Sequence, residues 1–180
     1  MKFRDQLTLF VPPPYAVLLE ANRTVLDPVQ AKLIAAHVTL CREDEIENLS
    51  STILQARLAA SGVKNVTLRF GAPESFSGHG ILLPCIAGER EFHALRQLIL
   101  GTNELRRQAP HITLAYPRNP RAVGNTLANA AKLAQGLSIT FTCIVHIRQE
   151  GSAPWQNIGE YPLGVAEKGA ALYNLLLGRR

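Results

Sequence analysis

The sequence predicts an α+β protein built from two similar halves, and three observations carry that reading. A tetrapeptide of the form His-aliphatic-Thr-Leu occurs twice, as His37-Val38-Thr39-Leu40 and His111-Ile112-Thr113-Leu114, 74 residues apart. In each copy His and Thr alternate with aliphatic residues, the period of a strand with one polar and one apolar face. Around each copy, strand-like alternation is interleaved with segments of helical period in roughly the same order. The halves share little sequence beyond the motifs, so what is duplicated is an order of elements and not a sequence repeat. With 180 residues, 47% of them hydrophobic, the chain can bury a substantial core, and it reads as a single domain over 1–180 made of two packed lobes.

The elements follow in order. Leu7 to Val11 reads as a short strand or an extended arm, cut off by Pro12-Pro13-Pro14. Tyr15 to Glu20 reads as a strand. Asp27-Pro28 pairs an N-cap residue with proline at the first helical position and opens a helix to about Ile34, which leads into the first motif strand. Glu43-Asp44-Glu45 begins a long amphipathic helix with Ile46, Leu49, Ile53, Leu54 and Leu58 inward, stopped by Ser61-Gly62; acidic residues at that end suit the helix dipole. Val66, Leu68 and Phe70 alternate as a strand, and Gly71 to Gly80 reads as a loop. Ile81 to Ile86 is a strand, and Glu89 to Leu100 a helix with Phe92, Leu95, Leu98 and Ile99 inward, ended by Gly101. Beyond the second motif, a helix spans about Pro120 to Gln135. Residues 139–148 then form one half-buried strand, with Ile139, Phe141, Cys143, Val145 and Ile147 on its apolar face. Val165 to Leu177 has the period of a final amphipathic helix.

Composition adds limits. Nineteen basic against 14 acidic residues give a net charge of +5, which suits an anionic partner. Cys41, Cys85 and Cys143 are odd in number, widely spread and embedded in apolar runs, so they read as free thiols in a reducing compartment. Cys41 alternates onto the face of His37 and Thr39 and so borders any groove there. Lys2 and Arg4 are followed by Asp5, and the apolar stretch breaks at the prolines, which argues against a secretion signal; no run has the length of a membrane span. The expected location is cytoplasmic, with no membrane contact and no obligate protein partner.

Two histidines on equivalent strands suit acid-base work on a phosphodiester. Imidazole titrates near 6.5, so at neutral pH one ring can be a neutral base while another, beside an anion, carries the proton of an acid. One takes a proton from an attacking water and the other gives one to the departing sugar oxygen, each worth on the order of 10² to 10⁴ in rate. Thr39 and Thr113, two residues along, supply hydroxyl donors for the non-bridging oxygens. No metal and no cofactor are expected, because no carboxylate stands at ligand spacing beside either motif.

The two motifs resemble those of the 2H phosphoesterase superfamily, whose name comes from paired His-x-Thr/Ser-x sequences. Within it, the chain is most similar to the group of 2′-5′ RNA ligases and RNA 2′,3′-cyclic phosphodiesterases. Ala109-Pro110-His111-Ile112-Thr113-Leu114-Ala115 reproduces the proline-led form of the motif, and order and spacing agree from Tyr15 through Trp155 to Tyr161-Pro162-Leu163-Gly164. The resemblance implies a bilobed α+β fold of pseudo-twofold antiparallel sheets, with helices outside and a central groove holding both motifs. It implies hydrolysis of a 2′,3′-cyclic phosphate or a 2′-5′ linkage on a nucleotide or RNA terminus, with His37 and His111 catalytic and Thr39 and Thr113 on the phosphate. A pseudosymmetric site leaves open which histidine is acid and which is base.

Supporting residues are less defined. Arg148, with His146, lies on the polar face of the last long strand, where a guanidinium can grip phosphate. Phe76, in the glycine-flanked loop, is a candidate platform for a base. Tyr116 follows the second motif closely enough to reach a nucleotide, although alternation from Thr113 turns it toward the core. Two other classes of function compete. An RNA- or nucleotide-binding module would keep the groove with little chemistry, and a metal hydrolase would use the histidines as ligands.

Overall fold

The computed structural model describes residues 3–59, 64–132 and 136–164. Among them, nine strands form an antiparallel sheet: β1 (Phe3–Phe10), β2 (His37–Cys41), β3 (Val66–Phe70), β4 (Glu74–Phe76), β5 (Gly80–Ala87), β6 (His111–Ala115), β7 (Ser138–Phe141), β8 (Cys143–Glu150) and β9 (Gln156–Pro162). Their order is β7-β3-β5-β6-β2-β1-β8-β9, with β4 paired to β5. Outward from the central β2–β6 pair, the sequence β2-β1-β8-β9 on one side mirrors β6-β5-β3-β7 on the other. β7 and β8 are separated by Thr142 alone, yet they stand near opposite ends of this order. The sheet must therefore curl into a half-barrel, and the Thr142 carbonyl accepts from Leu163 N at 2.7 Å, just beyond β9.

Helices α1 (Tyr15–Leu26), α2 (Pro28–Leu33), α3 (Glu43–Ile46), α4 (Ser51–Ala59), α5 (Glu89–Leu100) and α6 (Leu127–Ala130) complete the described elements. α1 packs on β6, α3 on β1, and α5 on β2 and β3. The main core lies between these helices and one face of the sheet. Val38, Leu40, Ile112 and Leu114 from the motif strands are fully buried there with Leu19 of α1 and Phe92 and Ile99 of α5. At about 25 cal/mol per Å² of apolar area, each such side chain contributes roughly 1.5–3 kcal/mol. A smaller cluster of Ile34, Val145 and Ile147, with Phe10 and Trp155 against it, sits on the other face.

Several elements differ from the sequence reading. Tyr15 to Glu20 opens α1 and is not a strand: Leu19, Arg23 and Leu26 are the buried positions, at helical spacing, so the charged Arg23 stands on the inward face. β1 is a central strand and not an arm, because it pairs with both β2 and β8. The helix from Glu43 divides into α3 and α4, since the Ser50 hydroxyl accepts from Ile53 N and caps a new start. Ile53 is accordingly exposed. The Gly71–Gly80 loop contains β4, folded onto β5 through a turn with positive φ at Ser77 and Gly78. Of the helix expected from Pro120, only α6 forms within the described residues; the Val25 carbonyl stands 2.6 Å from where a Cβ of Gly124 would be, and the chain stays irregular until Thr126 caps the turn. Residues 139–148 are two strands that serve opposite halves. Val165 to Leu177 lies outside the described residues. None of the described helices is long and apolar enough to cross a membrane.

Candidate active site

β2 and β6 meet antiparallel with Val38 opposite Ile112. Continuing that register puts His37 opposite Thr113 and Thr39 opposite His111. Because Val38 and Ile112 face the core, all four polar side chains rise from the other face, each half-buried. The two histidines are then diagonal neighbours, which lie about 7–8 Å apart in such a ladder, their Cβ atoms somewhat closer. That spacing is within the reach of two imidazoles turned toward one tetrahedral anion.

The two motifs match beyond their letters. The β1–β2 register skips Leu40, pairing Thr8 with Thr39 and Leu7 with Cys41, and the β5–β6 register skips Leu114, pairing Leu82 with Thr113 and Ile81 with Ala115. Each strand thus carries a bulge right after its Thr, which turns two successive residues into the core. That is why Cys41 does not border the groove. It is fully buried, and burial pushes its thiol up to about 12. The same device moves Tyr116 out of the core position that alternation gave it. It is half-buried, with the Arg118 guanidinium 5.9 Å from its ring centre.

Both imidazoles are oriented alike. His37 Nδ1 donates to the Ala35 carbonyl at 2.7 Å and His111 Nδ1 to the Ala109 carbonyl at 2.9 Å. A carbonyl only accepts, so Nδ1 carries the proton and a neutral ring presents a bare Nε2. Burial pushes His37 down to about 4 against the Ala35 hydrogen bond, and the charges of Arg23 and His111 act in the same direction as burial. The outer edge of the ring still opens to the groove, but its other sides are packed, with Phe10 edge-on at 6.1 Å. His37 is therefore neutral at pH 7.

Other residues that hold this geometry escaped the sequence reading. Gln6 Nε2 donates to Thr39 Oγ1 at 3.1 Å, leaving the Thr39 hydroxyl hydrogen free to point elsewhere. Gln108 Nε2 donates to the Thr39 carbonyl at 2.7 Å, tying the segment before the second motif to the first motif strand. Asp27 does the converse. Besides capping α2 through Gln30 N, its buried carboxylate accepts from Tyr116 N at 2.9 Å and from the Asn119 amide. Arg23, also buried, donates to the Ile34 carbonyl and pairs with Glu20, which accepts from Ala36 N. Asp27 was legible only as a cap, and nothing in spacing marks the other three.

The remaining candidates are scattered. Arg148 is not in the groove. It pairs with Asp5 in register, on the face of Leu7 and Cys41, and forks onto the Asp5 carboxylate at 2.7 and 2.8 Å. That guanidinium holds the Asp5 carboxyl below its ordinary range, with His146 in the same cluster. Phe76 pairs with Gly80, two residues from Leu82, and so shares the face of Thr113 at the end of the β4–β5 hairpin. Among the described residues no group of three His, Cys, Asp or Glu is placed to hold a metal ion.

No protein-family profile and no curated relative matches the chain. Solved structures do. The chain is similar to TT0787 of Thermus thermophilus, with a TM-score of 0.56 at 17% identity, over 91% of this chain and 100% of that one. It is similar to Escherichia coli LigT, solved with NADP+, with a TM-score of 0.57 at 14% identity, over 89% and 98% of the two chains. LigT solved with ATP gives a TM-score of 0.53 at 13% identity, over 89% and 96%. LigT is a 2′-5′ RNA ligase, and both proteins belong to the 2H phosphoesterase superfamily. The curled antiparallel sheet, the mirrored strand order and the agreement over nearly the whole of each chain give this protein the 2H phosphoesterase fold.

Proposed function

We propose that this protein is a metal-independent phosphodiesterase that hydrolyses 2′,3′-cyclic phosphates, or 2′-5′ linkages, of nucleotides or RNA ends. The observation that carries the proposal is the twin geometry of His37 and His111: adjacent strands, one face, and each Nδ1 committed to a backbone carbonyl. Neutral His37 takes a proton from water on Nε2 as the water oxygen bonds to phosphorus. The bond from phosphorus to the sugar oxygen breaks, and His111, as imidazolium, protonates that oxygen. Thr39 and Thr113 donate to the non-bridging oxygens as charge builds there. In the same direction, with a 5′-hydroxyl in place of water, the same groups serve ligation. The net charge of +5 favours an anionic substrate, and the nucleotide-bound states of LigT support the nucleotide class for a chain of this fold.

The test is incubation with nucleoside 2′,3′-cyclic phosphates in excess EDTA. Nucleoside monophosphate should form without metal, with a bell-shaped dependence on pH, and His37→Ala or His111→Ala should each cost about 10²–10⁴ in rate. Binding of nucleotides with no turnover of any cyclic phosphate or 2′-5′ diester would replace this reading with that of a binding module. Inactivation by the chelator would replace it with a metal hydrolase.

A further inference from the structure

A cavity of about 540 Å³ lies away from the groove, where the β4–β5 hairpin meets the segment from Arg121 to Leu127. Ser75 and Ile81 on its wall are paired across the hairpin and share the core side of the sheet, so the sheet separates the cavity from both histidines. Asn125 lines the opposite wall and is only 4% exposed. Its backbone is spent: N donates to the Ala122 carbonyl at 3.0 Å, and its own carbonyl accepts from Arg121 at 3.3 Å. Its carboxamide has no hydrogen-bond partner among the described residues, yet it is not sealed from water, so it opens into the cavity. A carboxamide at that depth is expected to be hydrogen-bonded, and only the cavity can supply the partner. The exposed Arg121 guanidinium stands beside it, with no carboxylate at ion-pair distance among the described residues. Thr126 adds a hydroxyl whose oxygen already accepts from Asn129 N at 3.2 Å, which frees its hydrogen to point elsewhere. His79 ties the hairpin to the facing segment, its Nε2 donating to the Asn119 carbonyl at 2.9 Å.

A guanidinium, a carboxamide and two hydroxyls thus offer donors from both walls, and among the described residues no acidic side chain lines the cavity to oppose them. That set suits an oxyanion. A carboxylate presents two oxygens in one plane, whereas a phosphomonoester presents three in a tripod that donors from the hairpin and from the facing segment can share. The cavity is far larger than a phosphate ion and has the size of a small-molecule site. Ile81 and Leu127 make part of its wall apolar, which suits an organic body on the phosphate. We infer that this cavity binds a small phosphomonoester, at a site separate from the groove of the two motifs. The bound phosphate bridges the β4–β5 hairpin and the irregular segment after the second motif, which Asp27 holds from its other side through Tyr116 N and the Asn119 amide. The site uses neither His37 nor His111, so it is independent of the proposed reaction.

Backbone-amide NMR of the full chain, titrated with glycerol 3-phosphate, tests this because each site reports through its own residues. Amides from Ser75 to Ile81 and from Arg121 to Leu127 should shift saturably. Inorganic phosphate should act on them more weakly, and glycerol, or sodium acetate at equal ionic strength, should not shift them. Arg121→Gln should raise the Kd read from these amides about 10-fold, the low end for a lost bond to a charged group, as suits an exposed guanidinium. Asn125→Leu should raise it about 2- to 10-fold, the range for a neutral hydrogen bond. Because Asn125 is buried and its replacement can disturb folding, the exposed Arg121 variant decides the matter if Asn125→Leu loses the native spectrum. An equal Kd in wild type and Arg121→Gln, or an equal response to acetate, would overturn the site. Inorganic phosphate bound as tightly as the ester would overturn the monoester and assign the cavity to the free ion. Shifts confined to His37–Thr39 and His111–Thr113 would overturn the cavity site and support the groove, whereas shifts confined to the cavity would count against the groove and leave this site standing.

Discussion

The low titration of His37 makes a prediction about stability as well as catalysis. In the unfolded chain this imidazole titrates near 6.5, and in the folded protein near 4. The unfolded state therefore binds the proton more readily between those values, and folding weakens as pH falls from about 6.5 toward 4, with no contribution above that window. At 1.36 kcal/mol per pH unit the whole gap is worth at most about 3 kcal/mol. Roughly 2 kcal/mol of it is lost between pH 7.5 and pH 5, less to the extent that water at the open edge of the ring screens the charge. The comparison is between wild type and His37→Gln by urea unfolding across this range, because every other titrating group cancels in the difference. Wild type should lose up to about 2 kcal/mol more than the variant on going to pH 5. Parallel loss in the two proteins would refute the argument that packing around His37 keeps it neutral. The same titration places the acid limb of kcat/KM near pH 4, well below that of an ordinary imidazole.

Two further substitutions test the supporting structure. Asp27→Asn keeps the shape of the bridge between α2 and the segment after the second motif but turns one acceptor into a donor facing Tyr116 N or Gln30 N. It should cost about 1–3 kcal/mol, seen as a Tm lowered by roughly 2–12 °C in a thermal melt, and an unchanged Tm would contradict the bridge. Arg148→Ala should leave kcat/KM on a cyclic phosphate within about twofold of wild type and cost no more than about 1 kcal/mol, as expected for an exposed ion pair. A tenfold loss of kcat/KM would return Arg148 to the groove.

Legibility in the sequence followed physical signal. The motif strands, α2, β3, β5 and α5 were readable because their patterns are local: alternation, a capped proline, a helical stripe closed by Gly101 in the left-handed region. α1 was misread because Tyr15 to Leu19 is a short apolar run, which periodicity alone cannot assign, and because its inward face carries Arg23. The division of residues 139–148 is invisible locally, since only the closure of the sheet decides that Thr142 ends one strand. The bulges at Leu40 and Leu114 have the same character. They are properties of two strands in register, and they reverse the parity on which the expectations for Cys41 and Tyr116 depended. The convergence of His37 and His111 was legible because duplication repeats the local pattern. Gln6, Gln108 and Arg23 act on that site from distant segments, and no local rule marks them.

The central claim is that His37 and His111 act on one phosphorus atom in one step, and a double-mutant comparison tests it most directly. Rates of 2′,3′-cyclic phosphate hydrolysis in chelator would be measured for His37→Ala, His111→Ala and the double variant. Groups that act as a unit are not additive, so the double variant should be about as slow as the slower single variant. Losses that multiply, or a single variant with wild-type kcat, would show that the two rings do not share a transition state.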